Sequence, residues 1–165
     1  PPSDIELAVL DGRLHTGVIP NLKTLPGLDY LTLYEETSRL YCSAEHPLFQ
    51  AKNITKEDLS RYDAVVPAYA QTPEIKAMHE PLKASASATD REGVAFLILS
   101  GSYIGYLPTH YAERWVRDGQ MKALPPNNWR YLTSYSAITR KGGISNLVLE
   151  TYFDELNNLI NKANL

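Results

Sequence analysis

The segment Ser87-Ala-Thr-Asp-Arg-Glu-Gly-Val-Ala-Phe-Leu-Ile-Leu-Ser-Gly-Ser-Tyr-Ile-Gly-Tyr-Leu-Pro108 holds a helix start, an apolar helix, a glycine stop, a short apolar strand and a closing proline. Thr89 with Glu92 three residues on is a capping-box pattern, in which hydroxyl and carboxylate each take an orphan N–H of the first turn. The pattern predicts a helix from Asp90. Val94 to Leu99 is apolar almost all round, which predicts a helix buried between layers. Gly101 suits the left-handed residue that ends such a helix. Ile104 to Leu107 then reads as a short buried strand, closed by Pro108.

Working outward, Ser3 with Glu6 suggests a second capping box for a helix that Gly12 stops. Leu14 to Ile19 reads as a strand bounded by Gly12 and Pro20, and Pro26-Gly27 as a turn. Leu31 to Tyr34 and Ser38 to Cys42 carry the residue types of two further strands. Thr55 with Asp58 starts a short helix, and Ala64 to Ala68 reads as a short buried strand. Thr72-Pro73-Glu74 is a helix N-terminus with proline in the first turn, and Pro81 ends that helix by Glu80. Thr109 to Asp118 reads as an amphipathic helix and Tyr131 to Thr139 as a strand. The last helix is capped by Ser145, with Leu149, Tyr152, Phe153, Leu156, Leu159 and Ile160 along one stripe. Alternating strands and helices imply a mostly parallel sheet with helices on both faces.

Three stretches resemble one family. The apolar helix, glycine and Ile104-Gly-Tyr-Leu-Pro108 are similar to a signature of the effector-binding domain of LysR-type transcriptional regulators. Ala8-Val-Leu-Asp-Gly-Arg-Leu-His-Thr-Gly-Val18 resembles that family's helix-to-strand turn, and Arg39-Leu-Tyr-Cys-Ser-Ala-Glu-His-Pro-Leu48 its strand followed by His-Pro-Leu. They occur in the family's order and cover nearly the whole chain. The resemblance implies an α/β, two-lobed type II periplasmic-binding-protein-like fold with mostly parallel sheets. Lobe I would comprise residues 1–47 and 134–165, lacking the family's first strand, helix and strand, and lobe II residues 48–133. His46-Pro47 would mark the first crossing between them. The DNA-binding helix-turn-helix would lie outside this chain, and family members are expected to pair as homodimers or higher homo-oligomers.

Composition excludes other classes. With 165 residues and 44% hydrophobic content the chain can bury a real core. A formal net charge of −3 argues against this chain itself gripping a phosphate backbone. The single cysteine, Cys42, excludes an internal disulfide and fits a reducing compartment. Neither a leader pattern nor a membrane-length apolar run is seen, so a cytoplasmic protein without membrane contact is expected.

In open α/β sheets ligands bind beyond the carboxyl ends of the strands. That rule selects Thr16, Gly17 and Val18 near one strand end, Ala68, Tyr69, Gln71 and Thr72 at another, and Thr89 at a helix start. Free N–H groups at the Thr72 and Thr89 helix starts would favour an anionic or carboxylate effector. Plain capping also accounts for both threonines, Tyr69 could equally be a core aromatic, and Thr16 an ordinary strand residue. By resemblance, these segments line a cleft between lobes that holds a small-molecule inducer.

Enzyme patterns are missing from the sequence: no Gly-x-Ser-x-Gly elbow, no phosphate-binding glycine loop, no His-Glu-x-x-His helix. Cys42 and His46, on a strand and its turn, do not share a face as metal ligands, and His15, His79 and His110 have no acidic partner at a telling spacing. No catalytic residue, metal or cofactor is expected. The rival reading is a transporter's solute-binding protein, which shares the implied architecture; a small α/β enzyme is the second rival.

Overall fold

The structure is a computed structural model that describes residues 2–143 and 147–163. The chain divides into two compact units, one of residues Pro1–Glu35 with Thr133–Leu165, the other Glu36–Leu132. Both division points fall inside long strands, β2 (Leu28–Ser43) and β7 (Arg130–Arg140), rather than at His46-Pro47. The two strands expected between Leu31 and Cys42 are one 16-residue strand. Polar Glu35, Glu36 and Thr37 interrupt its apolar pattern without ending the strand, since strand propensity depends on the packing of each face more than on any single side chain.

The second unit is a sheet with helices on both faces. Parallel strands β3 (Asp63–Pro67), β4 (Lys83–Ala88) and β5 (Ile104–Pro108) lie in the order β5-β3-β4. Strand β2 runs antiparallel to β5 and also carries the short antiparallel β6 (Met121–Ala123). Side chains alternate across this sheet. Leu40, Cys42, Ala64, Ile104 and Tyr106 enter one core with Leu59 of α2 (Lys56–Leu59), and Met78 of α3 (Pro73–His79) packs against it. Tyr41, Val65 and Leu107 enter the other with Val94, Ala95 and Ile98 of α4 (Arg91–Leu99) and Ala112 of α5 (Thr109–Arg117). Gly105 faces α4, where a Cβ would stand 2.7 Å from Val65 Cγ1 and 3.3 Å from Val94 Cγ1, so the absence of a side chain lets helix and sheet meet.

Three expectations are corrected here. Helix α4 starts at Arg91, and its N-cap is Asp90, whose Oδ1 accepts from Gly93 N at 2.8 Å. Thr89 instead donates its hydroxyl to Asp90 Oδ2 at 3.3 Å. The carboxylate wins because it is the stronger acceptor beside the helix N-terminus. Nor is α4 buried all round: Phe96 is 70% exposed and only one side enters the core. Strand β4 was not anticipated: Lys83-Ala-Ser-Ala-Ser-Ala88 carries none of the β-branched or aromatic residues that mark strands, and its parallel pairing with β3 makes it one.

In the first unit, β1 (Thr16–Pro20) pairs antiparallel with β7, and α1 (Pro2–Leu10) packs against β1. Helix α1 already runs from Pro2, so Ser3 lies inside it and bonds Asp4 rather than forming the expected cap. Val9, Ile19, Leu28 and Ile138 form the core. Helix α6 (Leu147–Ala163) half-buries Leu149, Phe153, Leu156 and Ile160, at steps of four, three and four, while Tyr152 and Leu159 of the expected stripe stay exposed. The Ser145 cap lies outside the described residues.

Candidate functional site

Because β3, β4 and β5 are parallel, their carboxyl ends share one edge of the second unit. The segments leaving that edge are Ala68–Thr72, Thr89–Arg91 and Thr109–His110. Ala68 N donates to Ala88 O at 2.8 Å, tying the first two together. Strand β2 reaches the same edge from the opposite direction, since Ser38 pairs with Pro108 and Glu36 lies two residues before it.

Glu36 is the centre of this edge. Its side chain is only 5% exposed, and its Oε2 lies 3.3 Å from Arg91 Nη1 and 3.7 Å from His110 Nε2. Its two neighbours, the Arg91 guanidinium and the His110 imidazole, both stand at helix starts that follow parallel strands. The Arg91 guanidinium also lies 5.8 Å from the Tyr111 ring centroid. Tyr69 is half-exposed, which rules out the core-aromatic alternative. Burial raises its phenol above the usual value, Arg91 opposes this, and Glu36 and Asp90 add to it, which places the Tyr69 hydroxyl within electrostatic reach of all three.

The sequence-selected residues thus separate into two groups. Ala68, Tyr69, Gln71, Thr72 and Thr89 lie along the carboxyl edge of the second unit. Thr72 Oγ1 accepts from Ile75 N at 3.3 Å and Asp90 holds Gly93 N, so the chain's own groups already use an amide at each helix start. Thr16, Gly17 and Val18 belong to the first unit and occupy the amino half of β1, whose carboxyl end is Pro20. Thr16 Oγ1 donates to Ile138 O at 2.9 Å, a Cβ on Gly17 would collide with Ile5, and Val18 is exposed.

Glu36, Arg91 and His110 escape sequence reasoning. The acidic partner of His110 is 74 positions away in sequence, on a strand that runs antiparallel to β5. A charged pair in the middle of a strand, Glu35-Glu36, was the available signal, because strand interiors seldom carry charge without a use for it.

The remaining titratable groups are structural. His46 Nδ1 accepts from Leu48 N at 3.1 Å and opens a 3-10 turn, Pro47–Gln50. Burial pushes the Cys42 thiol up to about 12, only partly opposed by Lys122, so it is an inert core group. Among the described residues there is no group of three His, Cys, Asp or Glu side chains placed to hold a metal ion. Among them, too, no helix is long and apolar enough to cross a membrane.

A regulatory domain of the LysR type accounts for the fold. The family model described as LysR substrate binding domain matches residues 1–159, and the chain belongs to that family. It is 48% identical over 155 residues to the HTH-type transcriptional activator BauR of Pseudomonas aeruginosa, covering 93% of this chain and 51% of that protein. The chain therefore spans about half of that relative's length. Among solved structures, the regulatory domain of HypT from Salmonella typhimurium superposes with a TM-score of 0.76 at 17% identity, covering 99% of this chain and 79% of that one. The CcmR regulatory domain of Synechocystis, solved in complex with 2-PG, gives a TM-score of 0.79 at 12% identity, covering 96% and 79%. These likenesses show the shared α/β, type II periplasmic-binding-protein-like fold.

Proposed function

We propose that this chain is the effector-sensing part of a LysR-type transcriptional regulator, and that the carboxyl edge of the second unit receives a small molecule. The carrying observation is the Glu36–Arg91–His110 cluster: polar and ionisable groups gathered where parallel strands end and helices begin, with the half-exposed Tyr69 in the same segment set. Gln71, Thr72 and Thr89 supply further polar atoms along that edge. A ligand with different affinity for two states of the domain shifts the balance between them, and that differential affinity is the signal.

In this reading the chain performs no catalysis and works in the cytoplasm. It pairs with further copies and reaches DNA only through a helix-turn-helix segment of the full-length regulator. The likeness to BauR, an HTH-type transcriptional activator, supports it. Thr16, Gly17 and Val18 remain secondary candidates, since the Thr16 hydroxyl and the Gly17 Cα surface already serve packing in the first unit.

The test is thermal unfolding of the chain against a panel of small metabolites. A compound that binds only the native state raises the midpoint in a dose-dependent way. The rise is expected to shrink in Gln71→Ala and Arg91→Gln. Absence of any shift across the panel, in this chain and in the full-length regulator, would count against the reading.

A further inference from the structure

We propose that acid loosens one of the two helix layers of the second unit and spares the other, and that the layer it loosens is the one held by His46 and His79. The cores on the two faces of the sheet differ in their ionisable groups. His79, in the last turn of α3, has its ring centroid 5.0 Å from that of Tyr106 and 5.8 Å from that of Tyr131, and those two rings are 5.2 Å apart. His46 is 3% exposed, lies 5.1 Å from the Tyr62 ring and opens the Pro47–Gln50 turn. Tyr62, Tyr106 and Tyr131 all pack into the core that Leu40 and Ile104 enter. The core beneath α4 and α5 has no such group. Of the two remaining histidines, His15 belongs to the first unit, and His110 stands at the start of α5 with its side chain 61% exposed.

Neither buried ring accommodates a second proton in place. His46 Nδ1 accepts from Leu48 N at 3.1 Å, so a proton there removes the acceptor that caps the turn. His79 Nδ1 donates to Ile75 O at 2.8 Å, and a proton on Nε2 would create a second donor that is buried and has no acceptor among the described residues. The titratable groups that face these rings are the phenols of Tyr62, Tyr106 and Tyr131, a group uncharged near neutral pH. Lys122 holds the far end of the turn through Phe49 O and Ala51 O. Burial lowers the pKa of both histidines, opposed at His79 by the Ile75 carbonyl. An opened layer takes up the protons below about pH 6.5 and the closed layer only at lower pH, so opening becomes easier as the pH falls through that value. Helix α3 begins at Thr72 on the candidate edge, so the loosened layer carries part of that edge.

Hydrogen exchange of the chain between pH 5 and 8, read by mass spectrometry and corrected for the intrinsic pH dependence of amide exchange, follows the two layers separately. Protection of segments 46–59 and 73–82 is expected to fall by roughly tenfold or more at the acid end, compared with segments 91–99 and 109–117. In the double variant His46→Asn with His79→Phe, asparagine keeps a capping oxygen and neither side chain titrates, so the difference between layers should vanish. Equal losses in both layers would mean that acid lowers only the global stability, and would overturn the inference. Unchanged protection, or a difference that persists in the double variant, would overturn it as well. Should the double variant fail to fold, the comparison of layers in the wild-type chain decides alone.

Discussion

Arg91 Nη1 meets Glu36 Oε2 at 3.3 Å across 55 positions of sequence. The carboxylate is almost wholly buried, whereas the guanidinium side is 38% exposed. The pair is therefore asymmetric: the acid depends on the base more than the base depends on the acid.

That asymmetry sets an order of stabilities. Arg91→Gln leaves a buried carboxylate without its cation and should cost about 1–3 kcal/mol. Glu36→Gln removes the buried charge while keeping an acceptor oxygen, and should cost less than about 1 kcal/mol. Urea denaturation of the two variants checks the order, and a reversed ranking would show that Arg91 is not what sustains Glu36.

Helix α4 separates two cap candidates that are adjacent in sequence. Asp90→Ala loses the acceptor for Gly93 N and should destabilise by about 1 kcal/mol. Thr89→Ala removes only a hydroxyl bonded to Asp90 and should cost about 0.5 kcal/mol or less. Thermal denaturation of both variants distinguishes them; equal losses would return the cap to Thr89.

His79 makes the second unit sensitive to acid. Its Nδ1 lies 2.8 Å from Ile75 O, its Nε2 is buried without a partner, and its ring sits against Tyr106 and Tyr131. Burial lowers its pKa, only partly opposed by the Ile75 carbonyl. The unfolded chain protonates this imidazole below about pH 6.5, while the folded chain resists until lower pH. The unfolded state thus binds more protons in that window, so stability is full above about pH 6.5 and falls as the pH drops below it. His46, lowered by burial, adds to the loss with the same sign. In unfolding scans between pH 5 and 8, His79→Phe should flatten the slope, leaving the part that His46 contributes; an unchanged slope would exclude His79 as its source.

Much of the second unit was legible because its signals are local. The Thr55–Asp58 capping box and the Thr72-Pro73 helix start stand where expected. Gly101 ends α4 with φ +85°, a conformation open to glycine without a Cβ clash. Each concerns a few adjacent residues and backbone groups that any surrounding fold must satisfy. The errors arose where two local answers compete, as with Thr89 and Asp90, or where propensity is silent, as in the alanine–serine strand β4.

The candidate site was legible only as an edge. The alternation of strands and helices predicts which loops gather at the carboxyl ends, and Ala68, Tyr69, Gln71, Thr72 and Thr89 lie there. The partners of the buried acid could not be foreseen. Spacing along the chain informs about one helix face or one strand face, whereas Glu36, Arg91 and His110 come from three elements joined by the pairing of β2, β5 and β3.

Sequence alone determined most of the elements, the family resemblance and the edge at which the strand ends gather, because capping, periodicity and glycine geometry act over a few residues. Only the tertiary structure determined that β2 delivers a nearly buried carboxylate to that edge, beside Arg91 and His110. Burial and long-range pairing are properties of the packed chain. They set the electrostatics of that edge, which no spacing along the chain foretells.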